Sequence, residues 1–145
     1  MNSTDANLTA GPLQLRDGRR VWFRPIRPDD SERLRRFHRR LSPESQRLRF
    51  FSPLRELSQR MADQFTNVDF VNRGAVVVVE HGIDELRGVP RYEMTPDGTA
   101  EIAFVLEDCF QGMGVGRQSL YVLANHCRAL GVEQFTALVL PENQA

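Results

Sequence analysis

The sequence predicts an α/β fold built on a mixed, α+β-like sheet, and three observations carry that prediction. Residues 75–79 form a continuous Val-rich run, short enough for a strand covered on both faces. Residues 89–94 and 100–106 flank Thr95-Pro96-Asp97-Gly98, turn chemistry that folds two strands into an antiparallel pair. Residues 114–130 have helical periodicity and stand between that pair and another apolar segment, 135–140. A strand, a helix and a strand in this order make a parallel pair joined by a right-handed crossover.

The elements follow in chain order. Residues 1–12 are polar and aperiodic, and are expected to be a loose tail outside a domain spanning 13–145. Asp17-Gly18 lies between Leu13/Leu15 and Val21/Phe23, a hairpin signal. Arg24-Pro25-Ile26-Arg27-Pro28 ends the second strand, and Asp29 or Asp30 can cap the helix that follows, with Glu32 in its first turn. That helix carries Leu34, Phe37 and Leu41 on one stripe, with five arginines around it. Ser42-Pro43-Glu44 starts a further short helix. Leu57, Met61 and Phe65 mark another amphipathic one. Pro90 predicts an edge or a bulge in its strand. The long helix has the stripe Leu120, Leu123, Ala124, Cys127 and Leu130, and Gly131 ends it.

Composition narrows the function. No apolar run is long enough for a membrane span, and the polar N-terminus is not a signal peptide. Cys109 and Cys127 form neither a CxxC pair nor a disulfide framework, so a cytoplasmic location is expected. The net charge of zero hides two opposed halves: residues 1–60 carry 14 Arg and 7 acids, residues 61–145 carry 5 Arg and 12 acids. All 19 basic residues are Arg. Without Lys there is no Walker-A loop and no lysine Schiff base. The Arg-rich half reads as a solvated face sooner than a nucleic-acid surface, because aromatic residues do not interleave it. His38, His81 and His126 lack metal-ligand spacing, and His126, next to Asn125 within a helix, is expected to be a surface or half-buried residue. Cys109 has no His or acid spaced to make it a nucleophile.

The chemistry concentrates where one strand ends and the long helix begins. Gly112, Gly114 and Gly116 allow backbone N–H groups to converge beside a helix N-terminus, an arrangement that binds phosphate oxygens. The spacing is GxGxGR, which is not the dinucleotide fingerprint GxGxxG, and the strand at 135–140 has no acid to hold a ribose.

Gln111-x-x-Gly114-x-Gly116 resembles instead the Gln/Arg-x-x-Gly-x-Gly/Ala signature of the GCN5-related N-acetyltransferase (GNAT) superfamily. Arg24-Pro25-Ile26-Arg27-Pro28-Asp29-Asp30, Ser42-Pro43-Glu44-Ser45 and Arg49-Phe50-Phe51 are similar to the branch that holds bacterial protein lysine acetyltransferases. The resemblance implies the GNAT acyl-CoA N-acyltransferase fold and transfer of acetyl from acetyl-CoA to a primary amine, on a protein lysine or a small molecule. It implies pyrophosphate on Gln111, Gly112, Met113, Gly114, Val115, Gly116 and Arg117, pantetheine along Phe104, Val105 and Leu106, and a further cofactor contact at Asn143. Glu101 falls where this branch places an acidic general base, a role a carboxylate near the thioester can fill directly or through water. Read without the resemblance, Glu101 is a solvated strand residue, and Tyr92 and Glu93 on the paired strand are either packing or acceptor-groove residues.

The family pattern continues beyond Pro141-Glu142-Asn143 with a helix, whose Tyr protonates the leaving thiolate, and two more strands; this sequence ends at Ala145. The expectation is therefore a fold lacking its final helix and strands, with an exposed strand edge that would pair with a second copy. The rival reading is a non-catalytic CoA-binding or interaction domain.

Overall fold

A computed structural model describes residues 7–41, 57–103 and 114–137. The elements are β1 (Ala10–Gln14), β2 (Arg20–Pro25), a single 3₁₀ turn (Pro28–Asp30), α1 (Ser31–Arg40), α2 (Gln59–Thr66), β3 (Arg73–Glu80), β4 (Leu86–Gly88), β5 (Arg91–Met94), β6 (Ala100–Ala103), α3 (Val115–Ala129) and β7 (Phe135–Ala137). The strands form one sheet in the order β1-β2-β3-β5-β6-β7, with β4 also on β3. Every pairing is antiparallel except β6 with β7, which is parallel as the strand–helix–strand succession requires.

Helices cover both faces, which explains the unbroken apolar run of β3. Val76 and Val78 join the core under α3 with Phe23, Tyr92, Ile102 and Leu123. Ala75 and Val77 face the other way, into a second core with Leu34, Phe37 and Leu41 of α1 and Ala62 of α2. Adjacent residues of a strand point to opposite faces, so only a strand buried twice keeps every position apolar.

The hairpin forms as expected, with Leu13 opposite Val21. The boundary expected at residue 12 falls too late, because β1 begins at Ala10 and Leu8 is wholly buried in the core. Thr95–Gly98 closes β5 onto β6, with the Gly98 N–H on the Thr95 carbonyl at 3.1 Å and Gly98 at φ +85°. Pro90 marks a break: its carbonyl accepts from Val76 N–H at 2.9 Å between the stretches where β3 pairs with β4 and with β5.

Two helix expectations need correction, those for Asp30 and Leu130. The Asp30 side chain does not cap α1; it is fully buried and takes two bonds of 2.8 Å from the Arg24 guanidinium and another from Arg27 N–H. Burial would raise its carboxyl pKa, but these bonds and the charges of Arg24 and Arg33 outweigh it and hold the group below the ordinary range. In α2, Ser58 caps the helix by accepting from Met61 N–H, and the expected amphipathic helix forms: Leu57 and Ala62 lie in the second core, with Met61 and Phe65 packed against it. In α3, Leu130 is exposed, while Val122 and His126 are buried.

The opposed charges of the two halves meet inside the molecule. Arg33 binds Asp84 at 2.7 Å, and Arg36 and Arg40 bind Glu85 at 2.9 and 2.8 Å. Arg35 donates to the Leu57 carbonyl at 2.9 Å. These arginines of α1 are committed to the turn between β3 and β4 and to the approach to α2. Among the described residues no helix is long and apolar enough to cross a membrane.

Candidate active site

β6 alternates: Ala100 and Ile102 point into the core under α3, and Glu101 stands exposed on the opposite face. Register places Glu101 opposite Glu93 of β5 on one side and Thr136 of β7 on the other. Glu93 is in turn opposite Arg73 of β3. The row Arg73–Glu93–Glu101–Thr136 thus crosses four strands on one face, about 4.8 Å per step. Like charges directly opposite destabilise a sheet. Neither Glu93 nor Glu101 has an ion-pair partner among the described residues, so the pair forms an acidic spot suited to an incoming ammonium. An open groove of ≈ 810 Å³ along α2, lined by Gln59, Arg60, Asp63, Gln64, Asn67 and Arg73, ends at this row through Arg73.

The second part of the site is the start of α3. Gly114 has φ +84°, and a Cβ there would find no atom of a described residue within 4 Å. The left-handed backbone demands Gly. The first intrahelical bond runs from Gln118 N–H to the Gly114 carbonyl at 3.1 Å. The N–H groups of Val115, Gly116 and Arg117 therefore come before the ladder, at the positive end of a 15-residue helix. Val115 is wholly buried, so its side chain cannot touch a ligand there and only its N–H is available. Arg117 is exposed, with its guanidinium in the first turn. Phe104, Val105, Leu106, Gln111, Gly112, Met113 and Asn143 lie outside the described residues, as does Cys109.

A buried polar cluster fixes α3 to the sheet. His126 Nε2 lies 3.0 Å from the Phe70 carbonyl and 3.2 Å from the Tyr92 hydroxyl. The sequence predicts a surface or half-buried His126; its full burial follows from partners that come from β5 and from the loop before β3. Tyr92 is therefore a packing residue, and of the Tyr92–Glu93 pair only Glu93 is exposed, on the face that carries Glu101. Burial raises the Tyr92 and Cys127 pKa values, the latter to about 11.

Burial also lowers the pKa of His126, and the bond to Phe70 opposes this only in part. Below the unfolded value near 6.5 the unfolded chain takes up a proton that the folded one resists, so stability falls as the pH drops. The melting temperature of the wild type is expected to fall more between pH 7.5 and 5.5 than that of His126→Gln, by a few degrees. Equal pH dependence in the two would remove His126 as the acid-sensitive group.

The model of the acetyltransferase (GNAT) domain matches residues 20–145, most of the chain. The chain belongs to the GNAT family. It is 34% identical over 134 residues to acetyltransferase PA5475 of Pseudomonas aeruginosa, covering 90% of this chain and 72% of that protein. The GNAT domain of S. lividans PAT superposes with a TM-score of 0.82 at 37% identity, covering 93% of this chain and 80% of that one. Acetyltransferase Pat of Mycolicibacterium smegmatis is 29% identical over 97% of this chain, which spans only 42% of that protein's length. The mixed sheet with helices on both faces is thus a GNAT sheet, and β6 with α3 is its strand–glycine–helix segment.

Proposed function

We propose that this GNAT chain transfers an acetyl group from acetyl-CoA to a primary amine, with a protein lysine side chain as favoured acceptor. One observation carries the reading. Strand β6 presents Glu101 beside Glu93 of β5, and the helix that follows β6 in sequence opens at left-handed Gly114 with its first N–H groups ahead of the intrahelical ladder. In this reading the N–H groups of Val115, Gly116 and Arg117 hold pyrophosphate together with Gln111, Gly112 and Met113, and Phe104–Leu106 pairs with the pantetheine arm. The acceptor enters as an ammonium, drawn by the two carboxylates. Glu101 takes the proton as the nitrogen forms its bond to the thioester carbonyl carbon. The C–S bond then breaks and the CoA thiolate takes up a proton.

Calorimetric titration of the chain with acetyl-CoA tests the cofactor half of the reading. Micromolar binding is expected; a folded chain that binds nothing would favour the interaction-domain reading instead. Gly114→Asp is expected to weaken binding by ~10- to 100-fold, because it combines left-handed strain with a carboxylate facing the pyrophosphate. Gly114→Ala carries the strain alone and is expected to lose less. Full affinity in Gly114→Asp would place the pyrophosphate elsewhere. For the acceptor half, the chain's own sequence helps: it contains no Lys, so acetyl-lysine in a reaction mixture reports the acceptor and not self-modification.

A further inference from the structure

Arg91 is 4% exposed, yet its Nη1 and Nη2 atoms have no hydrogen-bond partner among the described residues. Its guanidinium lies under the ring of Phe65 of α2, with Cζ 4.7 Å from the ring centroid. A cation–π contact of this kind leaves the in-plane N–H donors unused. Desolvation pushes its pKa down to about 10, with Glu93 opposing and Arg73 adding to the effect, so it remains a cation at neutral pH. A buried charge without a partner is costly, and replacing it by an apolar side chain would ordinarily relieve the fold. An unfilled fork of this shape fits a carboxylate, which it can bind through two parallel bonds.

Register says which molecule brings that carboxylate. Arg91 is opposite Ala103, and Glu93 is opposite Glu101, all on the α2 face of the sheet. Arg91 is therefore one strand repeat beyond the acidic pair, about 7 Å along, in the direction of residues 104–106. The exposed glutamates meet the acceptor; the buried Arg91 lies inward, toward the segment assigned to the CoA arm. We propose that Arg91 binds a carboxylate at the far end of the transferred acyl group, so that this chain also takes dicarboxylic acyl groups of the succinyl and glutaryl class from CoA. This rests on the acyl-CoA reading above. The transfer itself is the same: the ammonium gives one proton to Glu101 as its nitrogen bonds to the thioester carbonyl carbon, the C–S bond breaks, and the second nitrogen proton goes to the leaving thiolate. The distal carboxylate is unchanged, and a lysine acceptor goes from positive to negative.

The test compares wild type, Arg91→Met and Arg91→Lys by calorimetry with acetyl-CoA and succinyl-CoA, and by melting with free succinate against chloride at equal ionic strength. The ratio of succinyl-CoA to acetyl-CoA affinity is expected to fall ~10- to 100-fold in Arg91→Met, with Arg91→Lys in between. Succinate is expected to raise the melting temperature of the wild type and not of Arg91→Met. If Arg91→Met does not fold, the ratio in Arg91→Lys and the succinate shift of the wild type decide. An unaltered ratio together with no succinate shift would overturn the proposal. A ratio that falls only with an acceptor bearing its own carboxylate would move the anion to the acceptor and overturn it too. Binding of neither thioester would instead overturn the acyl-CoA reading, and the succinate comparison would still decide on Arg91.

Discussion

Glu101→Gln is expected to lower kcat/KM for amine acetylation by roughly 10²- to 10⁴-fold while acetyl-CoA affinity stays close to that of the wild type. The amide keeps the size and the strand register of the carboxylate but cannot accept the proton that the attacking nitrogen must lose. Glu101 is exposed and its side chain makes no ion pair among the described residues, so the substitution removes no packing contact and should leave the melting temperature nearly unchanged. The pH profile separates a base from a structural residue. A lysine-like amine is mostly protonated below its pKa of about 10.4. As the pH approaches that value, solution supplies free amine and the need for a protein base fades, so the deficit of Glu101→Gln should shrink. A deficit constant up to pH 10 would mean that the residue orients the acceptor and does not take its proton. Glu93→Gln supplies the contrast, with KM for the amine expected to rise ~3- to 10-fold and kcat to change little, because its carboxylate attracts the ammonium from one strand away. A matching loss of kcat in Glu93→Gln would make the two carboxylates one catalytic unit.

Much of this arrangement was legible because its signals are local. Gly114 and Gly131 bracket α3 in the sequence, and both take positive φ, +84° and +91°, at its two ends. The Val run of β3, the Asp17-Gly18 hairpin and the Thr95–Gly98 turn each depend on residues within a few positions of one another. Glu101 is exposed, as its reading as a solvated strand residue expects. What escaped depended on partners distant in sequence. His126 has polar neighbours and reads as a surface or half-buried residue, and its burial depends on the carbonyl of Phe70, 56 positions away, and the hydroxyl of Tyr92, 34 positions away. Arg91 looks like any charged strand residue until Phe65 is placed over it. Leu57, Met61 and Phe65 do pack on the second core, but Ala62 and Thr66, buried deeper than Met61 and Phe65, stand outside that four-residue spacing. The charge asymmetry was a sound signal whose meaning lay in the fold: basic α1 and acidic Asp84 and Glu85 are complementary surfaces of one domain.

Gly74→Val is expected to destabilise the chain by about 3 kcal/mol, which for a domain of this size lowers the melting temperature by roughly 10 °C. Gly74 is opposite Tyr92 in the β3–β5 register, and the phenol ring of Tyr92 lies across the space a side chain would need. A Cβ at position 74 would stand 2.6 Å from Tyr92 Cε1 and 3.1 Å from Phe70 Cδ1. A flexible side chain could yield at such a distance, but this ring cannot: its hydroxyl reaches His126 Nε2 at 3.2 Å, and its body is fully buried in the core under α3. Moving the ring would disturb the cluster that ties α3 to the sheet, and with it the placement of Gly114 relative to Glu101. The variant is therefore expected to lose acetyl-CoA affinity even at temperatures where it is folded. Shortening the obstructing ring should recover part of the loss, so that Gly74→Val combined with Tyr92→Leu is less destabilised than the sum of the two single changes. Strict additivity in that cycle would show that the valine is accommodated away from Tyr92, and that the ring does not determine the choice of glycine at position 74.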